Sequence, residues 1–131
     1  MTRFVVHAGA VLHLASAEAR VPGKHELLAP TLLRSQTLSA LHEAVQRDEI
    51  LVDVARDQLT RIGRMPIRLL GDAVLRRRAW DLADQLGWAS TYDAEYVALT
   101  QLQADAFVTL DAKLARSVEG IVATASIDAL F

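Results

Sequence analysis

The amino-acid sequence predicts an α/β fold of three layers, α/β/α, in which a central, mostly parallel sheet lies between two layers of helix. Three observations predict it. Short β-prone runs at residues 4–6, 67–70, 106–110 and 121–123 are separated by segments with helical periodicity. The run Ala106-Phe107-Val108-Thr109-Leu110 is apolar at nearly every position, as expected of a strand covered on both faces. Strands separated by helices imply βαβ crossovers, and those connect parallel neighbours. No Pro/Gly/Ser-rich stretch divides two cores, so residues 1–131 are read as one domain.

Taken in order, Phe4-Val5-Val6 is a strand that feeds, through Ala8-Gly9-Ala10, a helix at Val11-Leu12-His13-Leu14-Ala15. Residues 19–29 are expected to be irregular, with Pro22-Gly23 as the turn signal. Pro30 is expected in the first turn of a helix that runs from Thr31 to about Arg47, where its missing N–H costs nothing. A second helix over residues 52–62 stops at Gly63 and Pro66, and Ile67-Arg68-Leu69-Leu70 follows as a short strand ending at Gly71. Asp72 has the chemistry of an N-cap for the most amphipathic segment, which gathers Leu75, Ala79, Leu82, Ala83 and Leu86 on one face and closes at Gly87. Residues 92–104 form a helix apolar on more than one side, as suits an element in the interior or at a subunit contact. The strand at 106–110, a short helix at 111–117 and a last strand at 121–123 complete the pattern.

Hydrophobic residues make up 52% of the chain and charged residues 23%, enough apolar surface for a covered core and too much for disorder. The absence of cysteine excludes disulfides, thiolate nucleophiles and zinc-thiolate sites, and fits a reducing cytoplasm. No apolar run reaches membrane-spanning length, and the start Met1-Thr2-Arg3-Phe4-Val5-Val6 lacks the apolar core of a secretory signal, so export is not expected. A net charge of −2 makes no global case for nucleic acid. The distribution says more. Residues 56–78 hold seven arginines, at 56, 61, 64, 68, 76, 77 and 78, against Asp57 and Asp72. A solvated helix face explains such a run more readily than a nucleic-acid contact does.

In open parallel sheets, sites collect at the carboxyl ends of the strands, here at His7, Gly71 and Asp111. Asp111 opens the helix after the 106–110 strand, and Asp93 opens the helix before it. Two carboxylates at consecutive helix starts can converge on one cation. Each, taken singly, is better read as an N-cap, which contributes about 1 kcal/mol by satisfying orphan N–H groups, and it is the order of the elements that favours a site.

The stretch Thr91-Tyr92-Asp93-Ala94-Glu95-Tyr96-Val97-Ala98-Leu99, followed by Phe107-Val108-Thr109-Leu110-Asp111-Ala112-Lys113-Leu114-Ala115, resembles the C-terminal signature of PIN domains in VapC toxins. Ala29-Pro30-Thr31-Leu32-Leu33 with Leu38-Ser39-Ala40-Leu41 resembles the middle signature, and Phe4-Val5-Val6-His7-Ala8 with Val11-Leu12 resembles the opening strand and helix. The resemblance covers nearly the whole chain, in order. It implies a PIN-like fold and a metal-dependent RNA endonuclease using Mg²⁺ or Mn²⁺. It further implies RNA as substrate, a cognate VapB-like antitoxin whose tail lies across the site, and a homodimer.

Members of that family are similar in carrying four acids, which by position fall here on His7, Gln36, Asp93 and Asp111. The last two are retained as metal ligands and catalytic residues; the first two depart from the pattern. Phosphodiester hydrolysis with Mg²⁺ needs oxygen ligands that hold cations beside the phosphate and activate water. Two carboxylates can anchor one Mg²⁺, whereas two adjacent cations would lack neutralising charge.

Gln36 keeps a carbonyl oxygen without the charge and shares the inward face of Leu33 and Ala40, so it is either a weak ligand or a hydrogen-bonded filler. His7 suits Mn²⁺ or other transition metals better than Mg²⁺, or it is hydrogen-bonded in place, or paired with Asp93 or Asp111. Thr109 is expected to orient Asp111 or touch phosphate, as the resemblance implies. Glu95, two residues beyond Asp93 on a helix, should point away from it. His13, His25 and His42 show no metal-ligand spacing. Besides the nuclease, the two departures support an impaired PIN-type protein that binds antitoxin or RNA without cutting. A flavodoxin-like or nucleotide-binding α/β domain is disfavoured, because no glycine-rich phosphate loop follows any predicted strand.

Overall fold

Successive side chains of a strand point to opposite faces of a sheet, so three adjacent buried residues require cover on both sides. Phe4, Val5 and Val6 meet that condition, as do Leu27, Leu28 and Ala29, and Ala106, Phe107 and Val108. The computed structural model describes residues 1–131. Strand β1 (Arg3–Val6) leads to α1 (Ala8–Ser16), β2 (Glu26–Pro30), α2 (Leu32–Gln46) and α3 (Val52–Arg64). After these come β3 (Ile67–Leu70), α4 (Ala73–Leu86), α5 (Tyr92–Gln103), β4 (Ala106–Val108), α6 (Ala112–Ser117) and β5 (Thr124–Ala125), with a 3-10 turn over Ile127–Leu130 at the end.

The five strands form one sheet in the order β3-β2-β1-β4-β5, and every neighbouring pair is parallel. The expected three-layer α/β fold is therefore observed, with a sheet that is wholly parallel. Val5 pairs with Leu28 on one side and Phe107 on the other. The chain runs outward from β1 to β3, then returns to add β4 on the opposite side. That reversal places a topological switch between β1 and β4, where open α/β sheets leave a crevice at their carboxyl edge.

α5 is the helix most deeply set in the core: Ala94 and Tyr96 to Thr100 are all buried, and it packs on β1, β2, β4 and α4. Its apolar character is thus used in the interior, the first of the two roles expected for it. At the helix ends, Asp72 caps α4 by accepting the Leu75 N–H at 2.8 Å, and Gly87 closes that helix in the left-handed conformation at φ 70°. Both follow the sequence expectation.

Three expectations are corrected. Residues 26–30 are not irregular but form β2, and Pro30 ends that strand opposite Leu70 instead of starting a helix. Leu and Ala carry little β signal of their own, so only pairing between β1 and β3 reveals the strand. A proline fits its last position because the ladder there needs no further donor. The final strand lies at Thr124–Ala125, beyond the expected 121–123, because pairing begins where the Ala123 carbonyl accepts the Phe107 N–H at 2.9 Å. Ile121 and Val122 instead turn against the core. Strand β4 stops at Val108, so Thr109 and Leu110 lie outside the ladder.

Phe107 is fully buried and touches the site as well as the core. Phe107→Ala should cost about 3–5 kcal/mol of stability. Leu110→Ala, at a half-exposed position, should stay within about 0.5 kcal/mol. Urea unfolding of the two variants measures the contrast.

Candidate functional site

The parallel topology brings the starts of several helices to the carboxyl edge. His7 follows β1 and is the N-cap residue of α1, Gln36 lies one turn into α2, Asp93 is the second residue of α5, and Asp111 is the N-cap of α6. Residues far apart in the chain thereby meet at the switch between β1 and β4.

His7 is the hub. Its side chain is only 16% exposed, wedged edge-on against Tyr96 with centroids 5.0 Å apart and against Phe107 at 5.7 Å. Nε2 lies 2.9 Å from Asp93 Oδ1, and Nδ1 lies 3.3 Å from Thr109 Oγ1. A carboxylate only accepts, so Nε2 carries the proton that faces Asp93. In the neutral ring Nδ1 is then an acceptor for the Thr109 hydroxyl, which itself accepts the Asp111 backbone N–H at 3.1 Å. One hydrogen-bonded chain thus links the two ends of the site, from Asp111 through Thr109 and His7 to Asp93.

Asp111 caps α6, its Oδ1 accepting the Leu114 N–H at 3.0 Å. Asp93 does not cap α5: the N-cap is Thr91, and the Asp93 carboxylate turns to His7. Gln36, half-buried, accepts a 2.6 Å hydrogen bond from the Tyr96 hydroxyl at its Oε1. Burial first, then the nearby Asp93 and Glu95 charges, pushes Tyr96 well above the ordinary tyrosine range, so its hydroxyl remains a donor. Tyr96 was not singled out from the sequence, although its place three residues after Asp93 puts both on one side of α5.

Gln36, Asp93 and Asp111 line one open cleft of about 590 Å³ together with Trp88, Tyr92 and Lys113. His7, Gln36 and Asp93 also border an adjoining depression beside α2. The four positions identified from the sequence therefore converge. Lys113, two residues past Asp111, adds the cleft's one cation and was not expected from the sequence. Glu95 points elsewhere, as its helical spacing predicts, into a separate groove with Arg76. His25 is occupied near the amino terminus, where its Nδ1 accepts the Thr2 N–H and its ring meets Phe4. Gly71 lies beside the Thr31 side chain at the end of β3, away from the cleft lining.

The donor set decides what cation the cleft suits. Although His7, Asp93 and Asp111 border one region, no three His, Asp or Glu side chains lie close enough together to ligate one ion jointly. What remains is a pair of carboxylates, each with one oxygen engaged, by His7 at Asp93 and by the Leu114 N–H at Asp111. Such a pair suits a single hard cation whose shell is completed by water and phosphate, and does not suit two closely spaced ones.

No family model matches the chain, and no match was found among curated proteins. Among solved structures, the chain is similar to PAE2754 from Pyrobaculum aerophilum, with a TM-score of 0.73 and 20% identity, over 98% of this chain and 93% of that one. At that identity the likeness concerns the fold.

Tyr96→Phe keeps the ring but leaves the half-buried Gln36 Oε1 without its donor. A loss of about 1 kcal/mol is expected, and a double-mutant cycle with Gln36→Ala should assign it to that contact. Glu95 gives a pH test. Burial raises its carboxyl above the usual range, against a smaller opposing effect of Arg76. The folded state therefore holds the Glu95 proton more tightly than the unfolded state, so stability is lost as pH rises from the ordinary glutamate range through the raised folded-state value. Glu95→Gln should flatten that part of the stability profile, read by thermal unfolding across pH.

Proposed function

We propose that this protein is a PIN-type endoribonuclease of the VapC kind, hydrolysing RNA phosphodiester bonds at the cleft of Asp93 and Asp111 with a single Mg²⁺ or Mn²⁺. The observation that carries the reading is the convergence of His7, Gln36, Asp93 and Asp111 at the carboxyl edge of a parallel sheet. Asp93 and Asp111 would hold the cation. When bound, it would polarise the phosphate and lower the pKa of a coordinated water.

The chain's own groups prepare that site. His7 fixes the Asp93 carboxylate through Nε2, and Thr109 ties down the backbone of Asp111. The Tyr96 hydroxyl holds the Gln36 amide, so the uncharged position keeps its shape. Lys113 is placed to attract a phosphate into the cleft. Under the same reading, the protein works in the cytoplasm, forms a homodimer and is restrained by a cognate VapB-like antitoxin.

A second reading is favoured by one contact. The His7 to Asp93 hydrogen bond occupies an oxygen that a cation would otherwise use. On that reading the protein binds antitoxin or RNA without cutting.

Incubating labelled single-stranded RNA with Mg²⁺, Mn²⁺ or EDTA separates the two. The nuclease reading expects cleavage with either metal, none in EDTA, and a loss in Asp93→Asn of at least the roughly 100-fold that removing an outer-shell partner costs. RNA that is bound but intact at every metal concentration, with cutting gained only in His7→Asp combined with Gln36→Glu, establishes the second reading instead.

A further inference from the structure

The arginines of residues 56–78 do not form one patch. Arg61 is bound by Glu18 and Asp57 and donates to the Ala15 carbonyl, while Arg68 leans on Glu26. These two are structural. Arg56, Arg64, Arg76, Arg77 and Arg78 are exposed and make no ion pair, and of these Arg76 and Arg77 line a groove beside Trp80.

Trp80 follows Arg76 and Arg77 at helical spacings of four and three, so all three share one side of α4. They line a groove of about 530 Å³, bounded across from them by Thr91 and Glu95. The indole is 65% exposed, the largest side chain held so far out in water. Its surroundings are charged, with Arg76 and Arg77 one turn before it and Asp81 and Asp84 just after. Glu95 faces Arg76 across the groove.

The groove and the cleft are separate, but they adjoin at the start of α5. Thr91 lines it, and the next residue, Tyr92, presents a 57%-exposed ring to the cleft that holds Asp93 and Lys113. Two guanidinium groups outside any ion pair and an exposed indole thus lie on the groove side of the start of α5, and an exposed phenol and an ammonium lie on the cleft side. A protein partner would want contiguous apolar area around Trp80, and charged residues surround it instead. Single-stranded nucleic acid wants cations for phosphates and aromatic faces for bases; Arg76, Arg77 and Trp80 supply both on one side of α4, with Glu95, Asp81 and Asp84 bounding that surface.

We propose that Arg76, Arg77 and Trp80 form a landing surface for single-stranded RNA on its way into the Asp93–Asp111 cleft, the guanidinium groups meeting phosphates and the indole stacking on a base. This rests on the RNA reading of the site and adds where the strand lies outside the reacting atoms. Tyr92 carries the strand between the groove and the cleft.

The test is fluorescence anisotropy of a labelled single-stranded oligoribonucleotide against the full chain in EDTA, so that binding is read without cutting. Trp80→Ala should weaken binding about ten-fold, the scale of one lost base stack, and Trp80→Phe should recover part of it. Arg76→Ala with Arg77→Ala should weaken binding at low salt and flatten the dependence of log affinity on log salt by about 1.4, near 0.7 for each lost phosphate contact. In a Trp88→Phe background, RNA should quench the remaining indole.

Wild-type affinity in all these variants overturns the landing surface while leaving the RNA reading of the cleft intact. A wild-type chain that does not bind the oligoribonucleotide overturns both. Should Trp80→Ala instead change the oligomeric state in size-exclusion chromatography with RNA affinity unaltered, the surface is a protein interface and the proposal is wrong.

Discussion

The parallel pairing of β1 on both of its edges governs what happens at the carboxyl end of the sheet. Val5 is registered against Leu28 and Phe107 at once, so the ends of β1, β2 and β4 are held level by backbone hydrogen bonds. Side chains that leave those ends inherit that alignment. Because the chain reverses its direction of growth between β1 and β4, the residues after these two strands border a crevice and not a packed connection. His7 and Thr109 are those residues, and their contact ties the crevice together.

Within that frame, the side chains of His7 and Gln36 set the electrostatics of the edge beside the two carboxylates. Carboxylates packed together repel one another unless a cation lies between them. Here an imidazole that donates to Asp93 and an amide that accepts from Tyr96 lie beside the carboxylates. No buried side-chain nitrogen or oxygen lacks a partner. The site is therefore internally satisfied, and its remaining negative charge is concentrated on Asp93 and Asp111. The aromatic walls from Tyr96 and Phe107 fix the imidazole, so a packing requirement of the core and a positioning requirement of the site fall on the same residues.

Most of the fold was legible in the sequence, for reasons that can be stated residue by residue. The amphipathic spacing of Leu75, Ala79, Leu82 and Ala83, bounded by Asp72 and Gly87, specified α4 because cap chemistry and apolar period agree there. The strand at 67–70 was equally plain, marked by Pro66 before it and Gly71 after it. β2 was not, since Glu26-Leu27-Leu28-Ala29-Pro30 has neither alternation nor β-branched residues, and its extended form comes from neighbours on both sides. β5, two residues long, has no local signal of that length and exists only as an addition to β4. At the site, Asp93, Asp111 and His7 were identifiable by their places after strands and at helix starts, and Gln36 and Thr109 only through the family resemblance. Tyr96, Lys113 and the groove of Arg76, Arg77 and Trp80 were not, because exposure and partnership are properties of the assembled surface.

By itself the sequence determined the alternation of strands and helices, the parallel sense of the sheet and the set of side chains at its carboxyl edge, since these depend on periodicity and on neighbours close in the chain. Only the tertiary structure decided that the His7 imidazole donates to Asp93, that the Tyr96 hydroxyl donates to Gln36, and which arginines remain unpaired. Those outcomes depend on distances between residues up to 86 positions apart. Hydrogen bonds and ion pairs act over a few ångströms, and it is the packing of β1, β4 and α5 that brings such residues within reach of one another.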